Sequence, residues 1–424
     1  MKIFLDTVGC RLNQSEIENY ARQFTAAGHT LVPDSADADL TVVNTCTVTT
    51  AAAADSRKKI RRASRIGAGE VVATGCWATL EPQAAADLPG VIKVFSNIEK
   101  EGLVADILHL PPETFDLEPL VRVPVPGARL RTRAFIKVQD GCNNRCTFCI
   151  TTVARGAARS LSVDSIISEV QAAVRSGAQE IVLTGVHLGS WGHDLESPLT
   201  LKTLIAEILK STDLPRLRLS SLEPWDLDQD FFSLWADSRL AQHLHLPLQS
   251  GSAGTLRRMA RKVTPESYAL LIQAARAVMP DAAITTDLIV GFPGESEIEF
   301  NQSLDFTRQM DFADGHVFTY SERPGTAAAL MPDPVPHPLR KTRNAQMRDV
   351  LGASSLSYRQ KFIGQQRAVL WENVTKLGPQ RWTLSGLTDN YLRVTAEAPR
   401  DLWNQITPVL LTVLNEGGIL GQIP

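Results

Sequence analysis

The sequence predicts an α/β protein of three units: an N-terminal parallel α/β domain over residues 1–110, a central partial TIM-type β/α barrel over 128–358, and a small C-terminal β-barrel over 360–424. Three observations predict it. Apolar strand-like runs alternate with amphipathic helical patterns through the first unit, the mark of a parallel sheet. The β–α alternation then resumes through the middle of the chain, as a full or partial barrel requires. The last segment changes to short alternating strands with turn residues between them. At 424 residues the chain is also too long for a single core.

In the first unit, Ile3–Val8, Leu40–Asn44 and Val71–Gly75 read as strands. Between them lie a helix with Ile17, Tyr20 and Phe24 at three- and four-residue steps, stopped by Gly28, and a second helix from Ala51 to Ile66. Loops at the carboxyl ends of parallel strands share one edge, where ligands bind. Cys10, Cys46 and Cys76 each fall in such a loop. Distant in sequence, the three can converge on one site, although a buried thiol also packs as a small hydrophobe. The second helix carries Arg57-Lys-Lys-Ile-Arg-Arg-Ala-Ser-Arg65. That run is either a solvated face or a helix that contacts phosphates.

Pro111, Pro112, Pro119, Pro124 and Pro126 mark a linker over 111–130. The strand pattern Ala134–Gln139 then leads into Cys142-Asn-Asn-Arg-Cys146-Thr-Phe-Cys149, a CxxxCxxC spacing. Three thiolates cannot saturate a four-iron cube, which takes one Cys per iron, so one iron stays open to a ligand. A zinc site is the alternative, but it wants a fourth protein ligand, usually from a second C-x2-C pair, and none follows. Next come a helical stripe of Ile166, Ile167, Val170 and Val174, a strand Glu180–Gly185, and strand candidates Leu217–Leu222, His243–Leu248, Ala283–Val290 and His316–Tyr320. Barrel chemistry sits at the C-terminal ends of such strands. There the sequence places the polar or Gly-rich loops Thr184–Trp191, Ser220–Pro224, Pro247–Gly251 and Gly291–Glu295. His187 and Glu223 are polar candidates in them, and such residues are more often scaffold than acid–base catalysts.

Pro332, Pro334, Pro336 and Pro338 separate the barrel from a helix, Leu339 to Phe362. Short strands Arg367–Val374, Arg381–Leu384, Tyr391–Ala396 and Val409–Leu414 close the chain.

Composition narrows the class. Lys and Arg total 43 against 46 Asp and Glu, a net charge of −3, so any nucleic-acid binding must come from local patches. No apolar run reaches the roughly 18 residues of a membrane span. Met1-Lys-Ile-Phe-Leu-Asp6 meets an acid too early for a signal peptide, so a cytoplasmic, reducing compartment is expected. There, six Cys in a long chain read as ligands rather than disulfides.

The CxxxCxxC spacing resembles that of the radical S-adenosylmethionine (SAM) enzymes. With it, Gly9-Cys-Arg-Leu-Asn-Gln14, Asn44-Thr-Cys46, Gly75-Cys76, Ala154-Arg-Gly156, Arg159-Ser160, Gly185–Gly192, His243–Gly251 and Tyr320-Ser-Glu-Arg-Pro-Gly325 resemble the methylthiotransferase family of those enzymes through nearly the whole chain. The resemblance implies a radical SAM cluster on Cys142, Cys146 and Cys149 and a second 4Fe-4S cluster on Cys10, Cys46 and Cys76. It further implies SAM contacts at Phe148 and Gly185 and a TRAM-like RNA-binding module at the C-terminus, near Gly386–Tyr391. The motifs Gly9–Gln14 and Gly185–Ser190 look most like the branch that adds a methylthio group to C2 of N6-threonylcarbamoyladenosine next to the tRNA anticodon. The implied partners are the tRNA anticodon stem-loop and a reducing electron donor of the flavodoxin or ferredoxin type, with no membrane. Sister branches act on isopentenyladenosine in tRNA or on an aspartate of a ribosomal protein. A non-catalytic, metal-containing RNA-binding protein is the alternative from another class. Thr151-Thr152, Ala253 and Glu322 depart from the family's usual residues and bear on substrate contacts rather than on any proposed ligand.

Overall fold

A computed structural model describes residues 1–67, 69–115 and 132–424. Its first unit is a five-stranded, wholly parallel sheet of β1 (Lys2–Thr7), β2 (Thr30–Leu31), β3 (Leu40–Thr45), β4 (Glu70–Gly75) and β5 (Val91–Val94), in the order β2-β1-β3-β4-β5. Alternation along the strands explains its two covered faces. Leu40, Val42 and Val72 pack with Ile17, Tyr20 and Phe24 of α1 (Arg11–Ala26). Val43, Val71 and Ala73 turn the other way, onto Ala53, Ile60 and Ala63 of α2 (Thr50–Ile66). Strand order reverses between β1 and β3, so Cys10 and Cys46, which follow these two strands, flank the crevice where ligands bind in such sheets. Three short helices complete the unit: α3 (Cys76–Leu80), α4 (Pro82–Ala86) and α5 (Leu103–Ile107). The stretch read as a linker lies outside the described residues from 116 onward, and its first part, Pro112–Phe115, is a 3-10 turn.

The middle of the chain forms two three-stranded parallel sheets. One has the order β10 (Leu217–Leu219), β9 (Glu180–Thr184), β6 (Arg133–Lys137); the other is β11 (His243–His245), β12 (Ala283–Val290), β13 (Asp314–Thr319). Parallel bridges at Leu217–Leu240 and Ser221–His245 join β10 to the β11 side. The result is a six-stranded, partly open β/α barrel with β6 and β13 at its edges. Two strands are shorter than expected, because the paired ladder gives way to single bridges, Ser221–His245 beyond Leu219 and Gln249–Leu288 beyond His245. A small antiparallel clasp, β7 (Gln139–Asp140) with β8 (Arg159–Ser160), brackets the second cysteine cluster and α6 (Thr151–Arg155). Around the strands lie α7 (Val163–Arg175), α8 (Leu201–Ser211), α9 (Ala253–Arg258), α10 (Pro265–Val278), α11 (Glu297–Met310) and α12 (His337–Gln360). Ile181, Leu183, Leu217, Leu219, Leu244, Ile284 and Leu288 meet those helices in the largest core. Polar residues of the same strands meet one another instead: Arg218 with Glu180, His243 with Thr285, and His245 with Asp287.

The C-terminal unit is a closed barrel, β14-β15-β16-β18-β17, of β14 (Gln366–Gly378), β15 (Arg381–Thr388), β16 (Arg393–Ala398), β17 (Ile406–Asn415) and β18 (Gly418–Gln422). β18 escapes sequence reading, since two of its five residues are Gly and little alternation remains. This barrel docks at the N-terminal ends of the central strands. Tyr391 stacks on His243 with ring centroids 4.1 Å apart and 5° between planes, and Arg218 donates to the Thr388 carbonyl at 3.1 Å.

Candidate metal centre: two cysteine triads

The N-terminal triad is assembled by strand ends. Cys10 caps α1 just after β1, Cys46 follows β3, and Cys76 opens α3 directly after β4. Two glycines make the close approach possible. Gly9, at φ +107°, would place a Cβ 2.6 Å from Cys46 Sγ, and at Gly75, φ +91°, a Cβ would meet the Thr45 carbonyl at 2.4 Å. Burial pushes the Cys46 thiol up to about 11, and the Cys10 and Cys76 thiols add to that rise, so all three are within electrostatic reach. Asn97 donates to Cys76 Sγ at 3.6 Å, and Cys10 lies 3.5 Å from Asn13 Oδ1.

The second triad is local. Cys142, Cys146 and Cys149 lie on one loop at the C-terminal end of β6, all partly exposed. Each polar candidate from the sequence sits one step behind it. His187 shares a hydrogen bond of 2.5 Å with Asp226. Burial would lower its pKa, but the bonds to Asp226 and Cys142 prevail and raise it to about 9. Glu223 binds Arg261 at 2.6 Å, and Arg261 in turn reaches Cys146 Sγ at 3.8 Å. Each acts on a different cysteine, so they serve as props for the thiol loop rather than as an acid–base pair. Phe148, within this loop, sets its ring edge-on to Phe292 with centroids 6.4 Å apart. At Gly185 a Cβ would lie 3.0 Å from Gln139 Oε1, which leaves room for backbone only.

A buried charged seam ties the two triads together, and no spacing rule reveals it. Lys100 Nζ lies 2.6 Å from both Glu16 Oε1 and Asp140 Oδ2. Arg155 Nη1 lies 3.0 Å from Asp140 Oδ1 and 3.2 Å from Glu16 Oε1, while its Nη2 donates to Asn13 Oδ1 at 2.7 Å. All four charged side chains are buried. Two charges of each sign cancel, so the seam is neutral and fully paired. Asn13 is three residues from Cys10 and Asp140 two from Cys142, so the seam fixes one cysteine loop relative to the other.

Which group could such donors hold? All six thiols are free. Among the described residues, no three His, Cys, Asp or Glu donors gather as a single metal ion needs. A four-iron cube takes each thiolate to a different iron and sets its ligands wider apart. Nitrogen donors aimed at Sγ (Asn97, Arg261 and the Asn144 N–H, 3.4 Å from Cys142) suit the charge of cluster-bound thiolates. The donor set fits iron–sulfur chemistry.

Comparison with known proteins agrees. Residues 136–307 match the radical SAM superfamily, and residues 2–96 match a family described as uncharacterized protein family UPF0004. The fold and the thiol loop thus define a radical SAM enzyme, whose cofactors are SAM and a 4Fe-4S cluster. A solved radical SAM methyltransferase, TsrM from Kitasatospora setae with cobalamin and a 4Fe-4S cluster bound, shares the fold at a TM-score of 0.59, with 16% identity and 77% of each chain covered.

Sequence relatives are more specific. A threonylcarbamoyladenosine tRNA methylthiotransferase of Bacillus subtilis (strain 168) is 34% identical over 95% of this chain and 92% of its own. The protein of the same name from Thermotoga maritima is 35% identical, covering 92% and 90%. A tRNA-2-methylthio-N(6)-dimethylallyladenosine synthase of Desulfitobacterium hafniense (strain Y51) is 30% identical, covering 99% and 97%. This chain belongs to the radical SAM methylthiotransferase family.

One more surface bears on the site, the outer face of α2. Arg57 lies over the Trp77 ring at 5.7 Å and Lys59 pairs with Asp6 at 2.6 Å, so these two serve the fold. Lys58, Arg61, Arg62 and Arg65 are exposed. No helix among the described residues is long and apolar enough to cross a membrane.

Proposed function

We propose that this chain adds a methylthio group to C2 of N6-threonylcarbamoyladenosine next to the anticodon of tRNA, using two 4Fe-4S clusters and SAM. The observation that carries the reading is the meeting of two separate cysteine triads, one on a sheet edge and one at a barrel mouth, joined by one paired seam. Cys142, Cys146 and Cys149 would hold the cluster that engages SAM; Cys10, Cys46 and Cys76 would hold the second. When bound, these groups supply a radical that takes hydrogen from an unactivated C–H and the sulfur that replaces it, chemistry no side chain offers.

The chain's own residues then position and protect. Phe148, packed beside Phe292, walls the SAM side of the barrel, and Gly185 lets backbone approach it. Arg261 and Asn97 donate to Cys146 and Cys76, which lowers the cost of holding thiolates away from water. Tyr391 and Arg218 close the barrel floor, so solvent is excluded from below. Lys58, Arg61, Arg62 and Arg65 face tRNA phosphates, with the C-terminal TRAM-like barrel as a second RNA contact. That barrel carries six basic and five acidic residues over 361–424, so its contribution rests on shape more than charge. The domain limits 1–110, 128–358 and 360–424, a cytoplasmic setting and a flavodoxin- or ferredoxin-type donor belong to the same proposal.

Anaerobic reconstitution followed by iron and sulfide analysis should find about eight irons per chain, two cubes. Nucleoside mass analysis of tRNA from cells with and without the gene should show loss of the methylthio form of N6-threonylcarbamoyladenosine. Loss of the methylthio form of isopentenyladenosine would move the protein to the branch of its 30%-identical relative.

A further inference from the structure

Of the three N-terminal thiols, Cys10 is exposed, whereas Cys46 and Cys76 are buried. Cys10 caps α1 without a side-chain bond to the helix's free N–H groups, and the residue before it is Gly9, which leaves the loop from β1 pliant. Something other than burial must hold this thiol in place. Two tethers leave the first turn of α1. Asn13 donates to the Val8 and Thr45 carbonyls and accepts from Arg155. Arg11 reaches farther: its Nη2 donates to the Tyr391 hydroxyl at 3.1 Å, across 380 positions of sequence. Residues two apart do not share a helix face, so the tethers grip different sides of the turn.

Tyr391 holds a strained position for that contact. It lies in the turn between β15 and β16 with φ +64°, a left-handed backbone that suits Gly or Asn and disfavours an aromatic residue. Such strain persists where the surrounding contacts over-determine it. The ring stacks on His243, the first residue of β11, and the Arg218 guanidinium lies 5.1 Å from its centroid. Two neighbours thus hold the ring, and its hydroxyl is presented to Arg11. Among the described residues Arg11 has no carboxylate partner, and the Tyr391 hydroxyl is its only hydrogen-bond acceptor. One chain of contacts therefore joins all three units: α1 beside Cys10, the start of β11, and the C-terminal barrel.

We propose that Arg11 and Tyr391 are positioning residues: through them the C-terminal barrel holds the Cys10 loop at the spacing the second cluster needs. This rests on the reading of Cys10 as a ligand of that cluster. The C-terminal unit is then part of the frame of the reaction centre as well as a contact for RNA.

The experiment compares the full-length, cluster-reconstituted chain with Tyr391→Phe, Arg11→Gln and the double variant. Tyr391→Phe removes the hydroxyl and keeps the ring on His243. Hydrogen exchange followed by mass spectrometry reads the Gln14 N–H, which bonds to the Cys10 carbonyl at 3.3 Å and exchanges when the first turn opens. It should exchange roughly tenfold faster in either variant, the worth of one hydrogen bond to a charged group. The double variant should be no faster, because both changes cut the same contact. Anaerobic turnover should give roughly tenfold less methylthio product per 5′-deoxyadenosine formed, the scale of a slight misplacement of a reacting group.

An unchanged Gln14 rate in Tyr391→Phe overturns the proposal, as do additive effects in the double variant. So does faster exchange confined to the Thr388 N–H, bonded to the Leu392 carbonyl at 3.1 Å, because Tyr391 would then serve only its own turn. A faster Gln14 rate with an unchanged product ratio overturns the positioning role. A fall in tRNA affinity alone overturns it too, and makes Tyr391 an RNA contact. Should Tyr391→Phe not fold, an unchanged Gln14 rate in Arg11→Gln overturns it equally. Wild type with about four irons per chain would sink the two-cluster reading and the product ratio with it. The exchange arms test the tie between Arg11 and Tyr391 at any iron count, so the two failures are distinguishable.

Discussion

The two cysteine triads reach similar donor sets by opposite routes. Cys142, Cys146 and Cys149 come from one loop, and that loop sets their spacing whatever the rest of the chain does. Cys10, Cys46 and Cys76 come from three strand ends, and the sheet alone brings them together. A local site survives local errors; a dispersed site inherits every fault of the domain that builds it. The N-terminal triad should therefore be the more fragile of the two, and the two should fail separately.

The largest expected effect tests that separation. Cys146→Ala should abolish 5′-deoxyadenosine production, whereas Cys76→Ala should leave SAM cleavage largely intact and eliminate thiomethylated product. Anaerobic turnover with dithionite and SAM, with each product quantified, reads both. Normal methylthio product from the Cys76 variant would refute the two-cluster mechanism. Loss of both activities with one cluster intact would show the triads to be inseparable.

Next in size is the seam. Arg155→Leu leaves Glu16 and Asp140 buried with one cation between them, a loss of about 3–5 kcal/mol for a broken buried pair. Urea unfolding should show that drop. Iron analysis should show the N-terminal triad depleted first, because Arg155 holds Asn13 beside Cys10. Equal depletion of both triads would argue that the dispersed site is no weaker than the local one.

Acid offers a gentler version. Burial alone would raise the Glu16 pKa, but Arg155 and Lys100 hold it at about 2 against an ordinary 4.5. The folded-state pKa is depressed, so this stabilisation is complete above about pH 4.5 and is lost as pH falls toward 2. Melting temperature should fall through that window, and Glu16→Gln should flatten the fall. An equally steep fall in the Gln variant would place the acid sensitivity elsewhere.

The smallest effect concerns RNA at the N-terminal unit. Replacing Lys58, Arg61, Arg62 and Arg65 with Ser should weaken tRNA binding and flatten its salt dependence. The slope should shrink by about 0.7–0.9 for each phosphate no longer neutralised. Arg57 is left in place because it packs on Trp77. An unchanged slope would mean that the basic face is merely solvated.

Much of this molecule was legible in its residues. Period-two and helical patterns place the parallel sheet, the barrel and the closing β-domain, because strand and helix periods depend on neighbours a few residues away. The radical motif is legible for the same reason. Even the dispersed triad could be grouped, since every member follows a strand and parallel strands share an edge. What remained hidden was pairing across long separations. Glu16 with Arg155 and Glu223 with Arg261 join residues far apart in the chain. A lone Glu or Arg in a loop has the same local signature whether it is solvated, paired or waiting for a ligand. Sequence alone determined which donors exist and on which strand ends they sit. Only the tertiary structure decided which charges neutralise one another, because that depends on burial and on distances no local pattern encodes.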